Sequence, residues 1–248
     1  MLENSLFNKK DMYIMSHDSK GKATFLKTVN KRRTMFRYDN LHLLDGIEFT
    51  SYSGIEIPIL QPYNGSLDID FYPYTDHNKL TGENQALHFF IYDDKFRYAV
   101  WNRLEETTFK LSKFYALLTP DFTIYVDKPS FYALQATFMT RFVGAYWQQC
   151  GYNVIPTASW GNVDTFDFCF KGLPKNSPIA VGGLGLKSNP GALNLWHYGL
   201  LALEDTVSPS VLIIYGDDKL VLPELHTPVM FIKDNITKNF RNLNETNR

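Results

Sequence analysis

Cysteine is scarce in this sequence, with two in 248 residues, Cys150 and Cys169. Both lie in apolar stretches, which favours reduced, buried thiols over a disulfide framework and predicts a reducing, cytoplasmic environment. The six histidines show no paired spacing, and no cluster of Cys and His accompanies them. We therefore expect no structural metal site.

The sequence also lacks an excess of charge and any long apolar run. Its 25 Lys and Arg residues balance 26 Asp and Glu residues, for a formal charge of -1. No overall attraction to nucleic acid or to an anionic membrane is expected from this balance. Polar residues interrupt every apolar run before the roughly 20 residues that a membrane-spanning helix needs, and the N-terminus has no apolar export signal. A membrane partner is not predicted.

Several motifs that would reveal a chemistry are missing. There is no Gly-x-Ser-x-Gly elbow, no Walker sequence and no dinucleotide or flavin fingerprint. We accordingly expect no cofactor, and any reaction is expected to be hydrolysis or group transfer rather than a redox step.

What the sequence does contain is ample material for a core. The chain is 44% hydrophobic, with 15 Tyr and 19 Phe, which predicts a folded protein with one large core. We divide it into a basic and polar N-terminal arm over residues 1–40, a single α/β domain over 41–233 and a polar tail over 234–248.

From residue 87 onward, short apolar runs alternate with longer stretches of helical period, which is typical of parallel βα units. The earlier runs at 57–60 and 67–72 bring the strand count toward eight. An irregular TIM-like (βα) barrel is therefore favoured over an open, doubly wound sheet. The best-marked helix begins with Asn189 as its cap and Pro190 in its first turn. The predicted strands from residue 87 are 87–92, 115–119, 153–159, 178–183, 210–215 and 229–232.

Polar residues follow these strands repeatedly. In either architecture the carboxyl ends of parallel strands open on one side, so we expect Asp94, Asp121, Trp160 and Ser188 to surround one mouth. Carboxylates from different strands can divide general acid and general base roles. Asp94, Asp121 and Asp217 are the candidate catalytic residues, with Asp93 as an alternative to Asp94 beside Asp121. The other interpretation, that strand-end aspartates cap helices, stays open.

Candidate ligand-binding residues lie in the same loops. The turn that contains Gly183, Lys187 and Ser188 precedes a well-capped helix and suits a phosphate-bearing ligand, although a plain tight turn is the alternative. Trp160 is a candidate for stacking on a base or sugar ring, or it covers the core. Arg141 lies in a largely apolar helix, where it is expected either to pair with a strand-end Asp or to bind an anionic ligand.

One basic cluster, residues 27–37, stands out near the N-terminus. Lys31, Arg32 and Arg33 are candidate nucleic-acid contacts, because clustered positive charge binds phosphates. A solvated basic face is the alternative.

Several strings along the chain resemble an uncharacterised family, domain of unknown function 4417, and occur in the same order. The resemblance spans about residues 67–232 and implies a protein of bacteriophages, plasmids or bacteria, but no activity. The strings are HFFIYDD at 88–94, TPDFT at 119–123, GAYWQ at 144–148, VIPTASW at 154–160, FDFCF at 166–170 with Gly172, and IYG at 214–216.

Two hypotheses follow. In the first, the chain is an accessory protein of a phage or mobile element that binds a host protein or nucleic acid. In the second, it is a hydrolase or transferase that acts on a nucleotide-like or sugar-phosphate substrate, with strand-end aspartates as acid and base.

Overall fold

The computed structural model describes residues 13–17, 23–27 and 34–233. It divides the chain into two compact units, Met1–Leu43 and Leu44–Arg248. Lys31, Arg32, Arg33 and the predicted polar tail at 234–248 lie outside the described residues.

The first unit contains an antiparallel pair of strands. They are β1 (Tyr13–His17) and β2 (Ala23–Lys27), in a register that pairs Tyr13 with Lys27 and His17 with Ala23. A 3-10 helix over Thr34–Leu43 follows.

The second unit begins with a hairpin and continues into two parallel sheets. The hairpin pairs β3 (Phe49–Tyr52) with β4 (Ile55–Pro58) in antiparallel fashion, so the apolar run at 57–60 adds no parallel strand. The first parallel sheet has four strands in chain order. They are β5 (Asp70–Pro73), β6 (Gln85–His88), β7 (Ala116–Leu118) and β8 (Val154–Ile155).

The second parallel sheet starts one residue after the first one ends. Pro156 separates β8 from the next strand, and its carbonyl oxygen accepts a hydrogen bond from the N–H of Ala180, 2.8 Å away. Proline has no N–H to donate, which is consistent with its place at the junction of two sheets. The strands of this sheet are β9 (Thr157–Ala158), β10 (Pro178–Gly182), β11 (Val211–Gly216) and β12 (Val229–Lys233).

Four α-helices connect these strands. Asn189 caps the last one as the sequence predicts: its side-chain oxygen accepts a hydrogen bond from the N–H of Ala192 at 3.1 Å, and Pro190 occupies the first turn. No helix in the described part of the chain is long and apolar enough to cross a membrane. The helices are α1 (Leu104–Lys110), α2 (Ser130–Gln149), α3 (Phe166–Cys169) and α4 (Pro190–Val207).

Alternate residues of the strands face two different cores. On one face, Val181 and Leu212 pack with Leu200 and Leu203 of α4. On the other face, both parallel sheets contribute to a single cluster that includes Ala86, Leu118, Ile155, Ala180 and Ile213. The period of two that characterises a strand explains this division.

The α/β class with parallel sheets is confirmed. Within the described residues, no ladder of hydrogen bonds joins β5 to β12, so the sheets are not closed by pairing at their outer edges. The predicted irregular TIM-like barrel is therefore not confirmed, although the two sheets share one core.

Candidate functional site

The carboxyl edge of the parallel strands brings together residues that are far apart in the sequence. Asp121 follows β7, Ser159 follows β9 and Gly182 ends β10. Ser159 lies beside Asp121 and acts to lower its pKa. A Cβ atom built at Gly182 would lie 3.8 Å from Oδ2 of Asp121. Three loops thus converge on one carboxyl group.

Asp121 is unusual because part of its carboxyl group is out of reach of solvent. Its Oδ1 is buried and has no hydrogen-bond partner among the described residues, although the residue as a whole is partly accessible. The pKa of Asp121 is raised to about 7: burial is the largest cause, the interaction with Ser159 lowers the pKa, and the negative charge of Asp93 raises it. A group with such a pKa exists in both protonation states near neutral pH.

Asp93 is the second carboxylate of this cluster, and the structure ties it to the loop that carries Asp121. Its Oδ1 accepts hydrogen bonds from the N–H of Thr123 at 3.2 Å and from the Thr123 hydroxyl at 2.7 Å. Arg97 donates to the other carboxylate oxygen at 3.4 Å. Asp94 behaves differently: its side chain is 67% exposed and forms an ion pair with Lys95 at 3.0 Å. The electrostatic neighbour of Asp121 is Asp93.

Aromatic rings line the inner face beside Asp121. Phe90 and Tyr215 stack with centroids 5.1 Å apart and planes inclined by 10°. The His88 ring lies 4.3 Å from that of Tyr215. All three are buried, and Phe90 and Tyr215 belong to the core that the two sheets share.

Trp160 packs against a helix. A Cβ atom at Gly199 of α4 would lie 2.0 Å from Cε2 of Trp160, so only glycine leaves room for the indole ring. The ring also meets Phe170 edge to face at 5.8 Å. Packing of this kind matches the interpretation of Trp160 as a cover over the core.

Two backbone N–H groups at and after the glycine turn that follows β10 are already hydrogen-bonded within the protein. The N–H of Gly183 donates to the carbonyl oxygen of Tyr215 at 2.8 Å, and the N–H of Ala192 is bound by the cap Asn189. Those two N–H groups are therefore not available to a phosphate. Ser188 is exposed and donates its hydroxyl to the carbonyl oxygen of Gly185 at 3.2 Å. Lys187 lies in the short 3-10 helix Leu186–Ser188.

Asp217 and Arg141 both bind backbone groups. Oδ1 of Asp217 accepts the N–H of Lys219 at 2.8 Å, as in a side-chain-capped turn. The guanidinium group of Arg141 is fully buried and donates to the carbonyl oxygens of Thr157 (2.9 Å), Cys169 (2.6 Å) and Lys171 (3.1 Å). Burial lowers the pKa of Arg141 to about 10.

Within the described ranges, no group of three or more His, Cys, Asp or Glu side chains is arranged to hold a metal ion. The polar groups at the carboxyl edge instead suit proton transfer. The partly buried carboxyl group of Asp121 lies near the carboxylate of Asp93, which binds the hydroxyl group of Thr123.

Sequence reasoning singled out Asp121 but gave Phe90 no role at this edge. Phe90 falls inside the apolar run 87–92, which reads as a strand, whereas β6 ends at His88 and Phe90 already belongs to the loop. The earlier end of the strand is what moves Phe90 to the carboxyl edge.

The fold is that of an α/β protein whose candidate site lies at the carboxyl edge of parallel strands. Residues 49–230 match the family model described as "Domain of unknown function (DUF4417)", and the chain belongs to this family. The Gene 1 protein of Mycobacterium phage L5 is 37% identical over 201 residues, which cover 76% of this chain and 84% of the phage protein. The Gene 1 protein of Mycobacterium phage D29 is 35% identical over 195 residues, covering 76% of this chain and 71% of the phage protein. A search of solved structures found no significant match.

Proposed function

We propose that this protein is an enzyme in which Asp121 acts as the general acid and general base of a hydrolysis or group transfer. The observation that carries the proposal is the Oδ1 atom of Asp121, which is buried and lacks a hydrogen-bond partner among the described residues. An unsatisfied buried oxygen costs about 1–3 kcal/mol of stability. Protonation of the carboxyl group lowers this cost, because the neutral form is less costly to bury than the charged form.

The neighbours of Asp121 support a role in proton transfer. With its pKa raised to about 7, mainly by burial, the carboxyl group can give a proton to a leaving group and take one from water at neutral pH. Ser159, in the loop after β9, acts in the opposite direction and keeps the pKa from rising further. Asp93, which is held by Thr123 and Arg97, adds negative charge that favours the protonated form of Asp121.

The architecture supports this location for a site. We infer that the two parallel sheets form an irregular, incompletely paired (βα) barrel, because strands of both contribute to one inner core. In such a fold the loops at the carboxyl ends of the strands form the mouth, and Asp121, Ser159 and Gly182 all lie there.

The test compares Asp121→Asn with Asp94→Asn. Both changes remove one negative charge and keep the side-chain shape, but Asp94 is exposed and paired with Lys95. The purified variants are assayed with p-nitrophenyl acetate, p-nitrophenyl phosphate, bis-p-nitrophenyl phosphate and p-nitrophenyl glycosides. Turnover by the unaltered protein should fall about 100-fold or more in Asp121→Asn and stay unchanged in Asp94→Asn. No turnover of any probe, or equal turnover in the two variants, would contradict the proposal.

A second candidate function is that of a cytoplasmic accessory protein that a phage or mobile element uses to bind a host protein. The phage relatives favour this origin. The supporting structural observation is a set of exposed aromatic side chains at the loop after β7 and the first turn of α2: Tyr125, Phe131 and Tyr132 are 54%, 67% and 54% exposed. Aromatic residues are enriched in protein interfaces.

This candidate is tested with Phe131→Ser/Tyr132→Ser against Tyr198→Ser, which changes a comparably exposed aromatic residue on α4. Each tagged variant is produced in a bacterial host and the proteins that co-purify are identified. A host protein that is retained by the unaltered chain and by Tyr198→Ser, and lost from the double variant, is the expected result. Identical sets of proteins from all three would count against this function.

A further inference from the structure

Arg97 lies at the start of an unusual helical turn, beside the loop that carries Asp121. The residues that follow it, Tyr98–Asn102, form a π-helix. Such turns are rare and are frequent at functional sites. From this position the guanidinium carbon of Arg97 lies 5.6 Å from the centroid of the Phe122 ring. Phe122 directly follows Asp121 in the chain, so Arg97 packs against the loop of the proposed acid and base.

The guanidinium group of Arg97 has two further neighbours. Its Nη1 atom donates to Oδ2 of Asp93 at 3.4 Å, and its Nη2 atom lies 3.7 Å from the sulfur atom of Met139 on α2. Trp101, within the π-helix, meets the Phe122 ring edge to face with centroids 6.3 Å apart. These contacts hold the positive charge of Arg97 beside the Asp93 carboxylate.

Asp93 connects Arg97 to the loop of Asp121. Its Oδ1 accepts from the N–H and the hydroxyl group of Thr123, two residues after Asp121, while its Oδ2 accepts from Arg97. The carboxylate therefore lies between a positive group and the loop. An ion pair produces a weaker field at a third group than a bare carboxylate does, because its two charges offset each other.

Asp93 supplies the charge that acts on Asp121 and favours its protonated form. The neighbouring pair of Asp94 and Lys95 is exposed to solvent, where charges are screened. Further polar or titratable side chains around this loop are Ser159 after β9, Thr140 on α2 and, beyond the Phe90 ring, His88 on β6 and Tyr215 on β11.

We propose that Arg97 is a positioning residue for Asp121 and acts through Asp93: its guanidinium group fixes the Asp93 carboxylate beside the loop of Asp121 and offsets the negative charge of that carboxylate. This role rests on the function proposed above, because it concerns the protonation of the proposed acid and base. Asp93 favours the protonated form of Asp121, and Arg97 limits that effect, so that both protonation states stay accessible near neutral pH.

The experiment follows the carboxyl carbon of Asp121 by NMR during a pH titration of the full chain, isotope-labelled in its aspartate side chains. The signal of Asp121 is identified by its absence from the spectrum of Asp121→Asn. Asp93→Asn keeps an oxygen that can accept from Thr123 but removes the negative charge, so the pKa of Asp121 should fall by about half a pH unit or more. Arg97→Met removes the offsetting positive charge, so the pKa should rise by about 0.2 pH units or more.

The opposite signs separate this role from a structural one. If Asp93 and Arg97 only kept the loop closed, both variants would let water reach Asp121, and its pKa would fall in both. Arg97→Lys retains the positive charge and should leave the pKa close to that of the unaltered protein. Lys95→Met is the matched control, because it removes a positive charge from the exposed pair with Asp94 and should leave the titration of Asp121 unchanged.

A pKa of Asp121 that falls or stays the same in Arg97→Met overturns the proposal. So does a pKa that does not fall in Asp93→Asn, or an effect of Lys95→Met as large as that of Arg97→Met. Arg97→Gln provides the same comparison if the methionine variant does not fold, since it also removes the positive charge.

Failure of this inference can be told apart from failure of the proposed function, because the titration does not depend on turnover. If Asp121→Asn abolishes turnover of a p-nitrophenyl probe but Arg97→Met leaves the pKa of Asp121 unchanged, the acid and base role stands and the role of Arg97 does not. If the two variants shift the pKa with opposite signs while Asp121→Asn leaves turnover unchanged, the reverse holds.

Discussion

The Nη1 atom of Arg141 donates a hydrogen bond to the carbonyl oxygen of Thr157 over 2.9 Å, so a side chain in the middle of α2 holds the first residue of β9. Two further donors of the same guanidinium group bind carbonyl oxygens at the end of α3: that of Cys169, the last residue of the helix, and that of Lys171, two residues later. Arg141 thus connects α2, the strand that leads to Ser159 and the end of a short helix, using backbone acceptors alone among the described hydrogen bonds.

Replacement of Arg141 by Met should be strongly destabilising, because it leaves three buried carbonyl oxygens without their donor. We expect a loss of about 3 kcal/mol or more in the free energy of unfolding. Denaturant unfolding followed by circular dichroism measures it. Arg103→Met is the matched control: Arg103 is half exposed and pairs with Glu106, so its loss should cost less than about 1 kcal/mol. Similar losses in both variants would show that the buried hydrogen bonds contribute little.

The raised pKa of Asp121 predicts how stability changes with pH. In the unfolded chain an Asp releases its proton near about pH 4, whereas burial keeps the proton on folded Asp121 up to about pH 7. Between these values the folded state binds more protons than the unfolded state, so the free energy of unfolding falls as pH rises. The contribution of Asp121 to this fall is about 4 kcal/mol at most.

Asp121→Asn removes this contribution, and the variant should be more stable than the unaltered protein above neutral pH. Urea unfolding at a series of pH values from acid to mildly alkaline compares the two, with Asp94→Asn as the control. A variant that keeps the full pH dependence of the unaltered protein would show that Asp121 titrates normally.

Gly82 should not tolerate alanine, for two separable reasons. Its φ of +96° is unfavourable for any residue with a Cβ atom, and that atom would lie 2.2 Å from the carbonyl oxygen of Lys113. Gly54 has a similar φ of +79° but open space around it. We expect Gly54→Ala to cost about 1–2 kcal/mol from backbone strain alone and Gly82→Ala to cost clearly more. Thermal unfolding of the two variants measures the difference, and equal melting temperatures would refute the steric contribution.

Gly199→Ala should displace Trp160, because the new methyl group would overlap the indole ring. The expected loss is about 1–3 kcal/mol, with a change in tryptophan fluorescence. Gly191→Ala, in the first turn of the same helix, should not reduce the stability and should leave the tryptophan fluorescence unchanged. Unchanged stability and fluorescence in Gly199→Ala would show that the indole ring of Trp160 does not fill the space beside Gly199.

The basic cluster at 27–37 remains a prediction for nucleic-acid binding, since Lys31, Arg32 and Arg33 lie outside the described residues. If these residues bind phosphates, the affinity for a fluorescent oligonucleotide should fall steeply as salt is raised. The triple alanine variant should show a weaker affinity and a shallower salt dependence. A flat salt response of the unaltered chain would exclude this partner.

The sequence by itself determined the α/β class and the parallel sheets. The alternation of apolar runs with helical periods requires crossover connections, and these predict parallel strands. The start of α4 was equally readable, because Asn189 and Pro190 act locally through a side-chain cap and a fixed φ angle. The family was recognisable too, since short strings of residues carry it.

Only the tertiary structure decided which strand-end aspartate matters. Asp93 and Asp94 are neighbours in sequence, but the geometry of the loop turns Asp93 toward Thr123 and Asp121 and leaves Asp94 in solvent with Lys95. Asp217, which follows a strand in the same way, is used to shape its own turn. The burial that raises the pKa of Asp121 depends on loops brought together from across two sheets, and no local pattern specifies such distances.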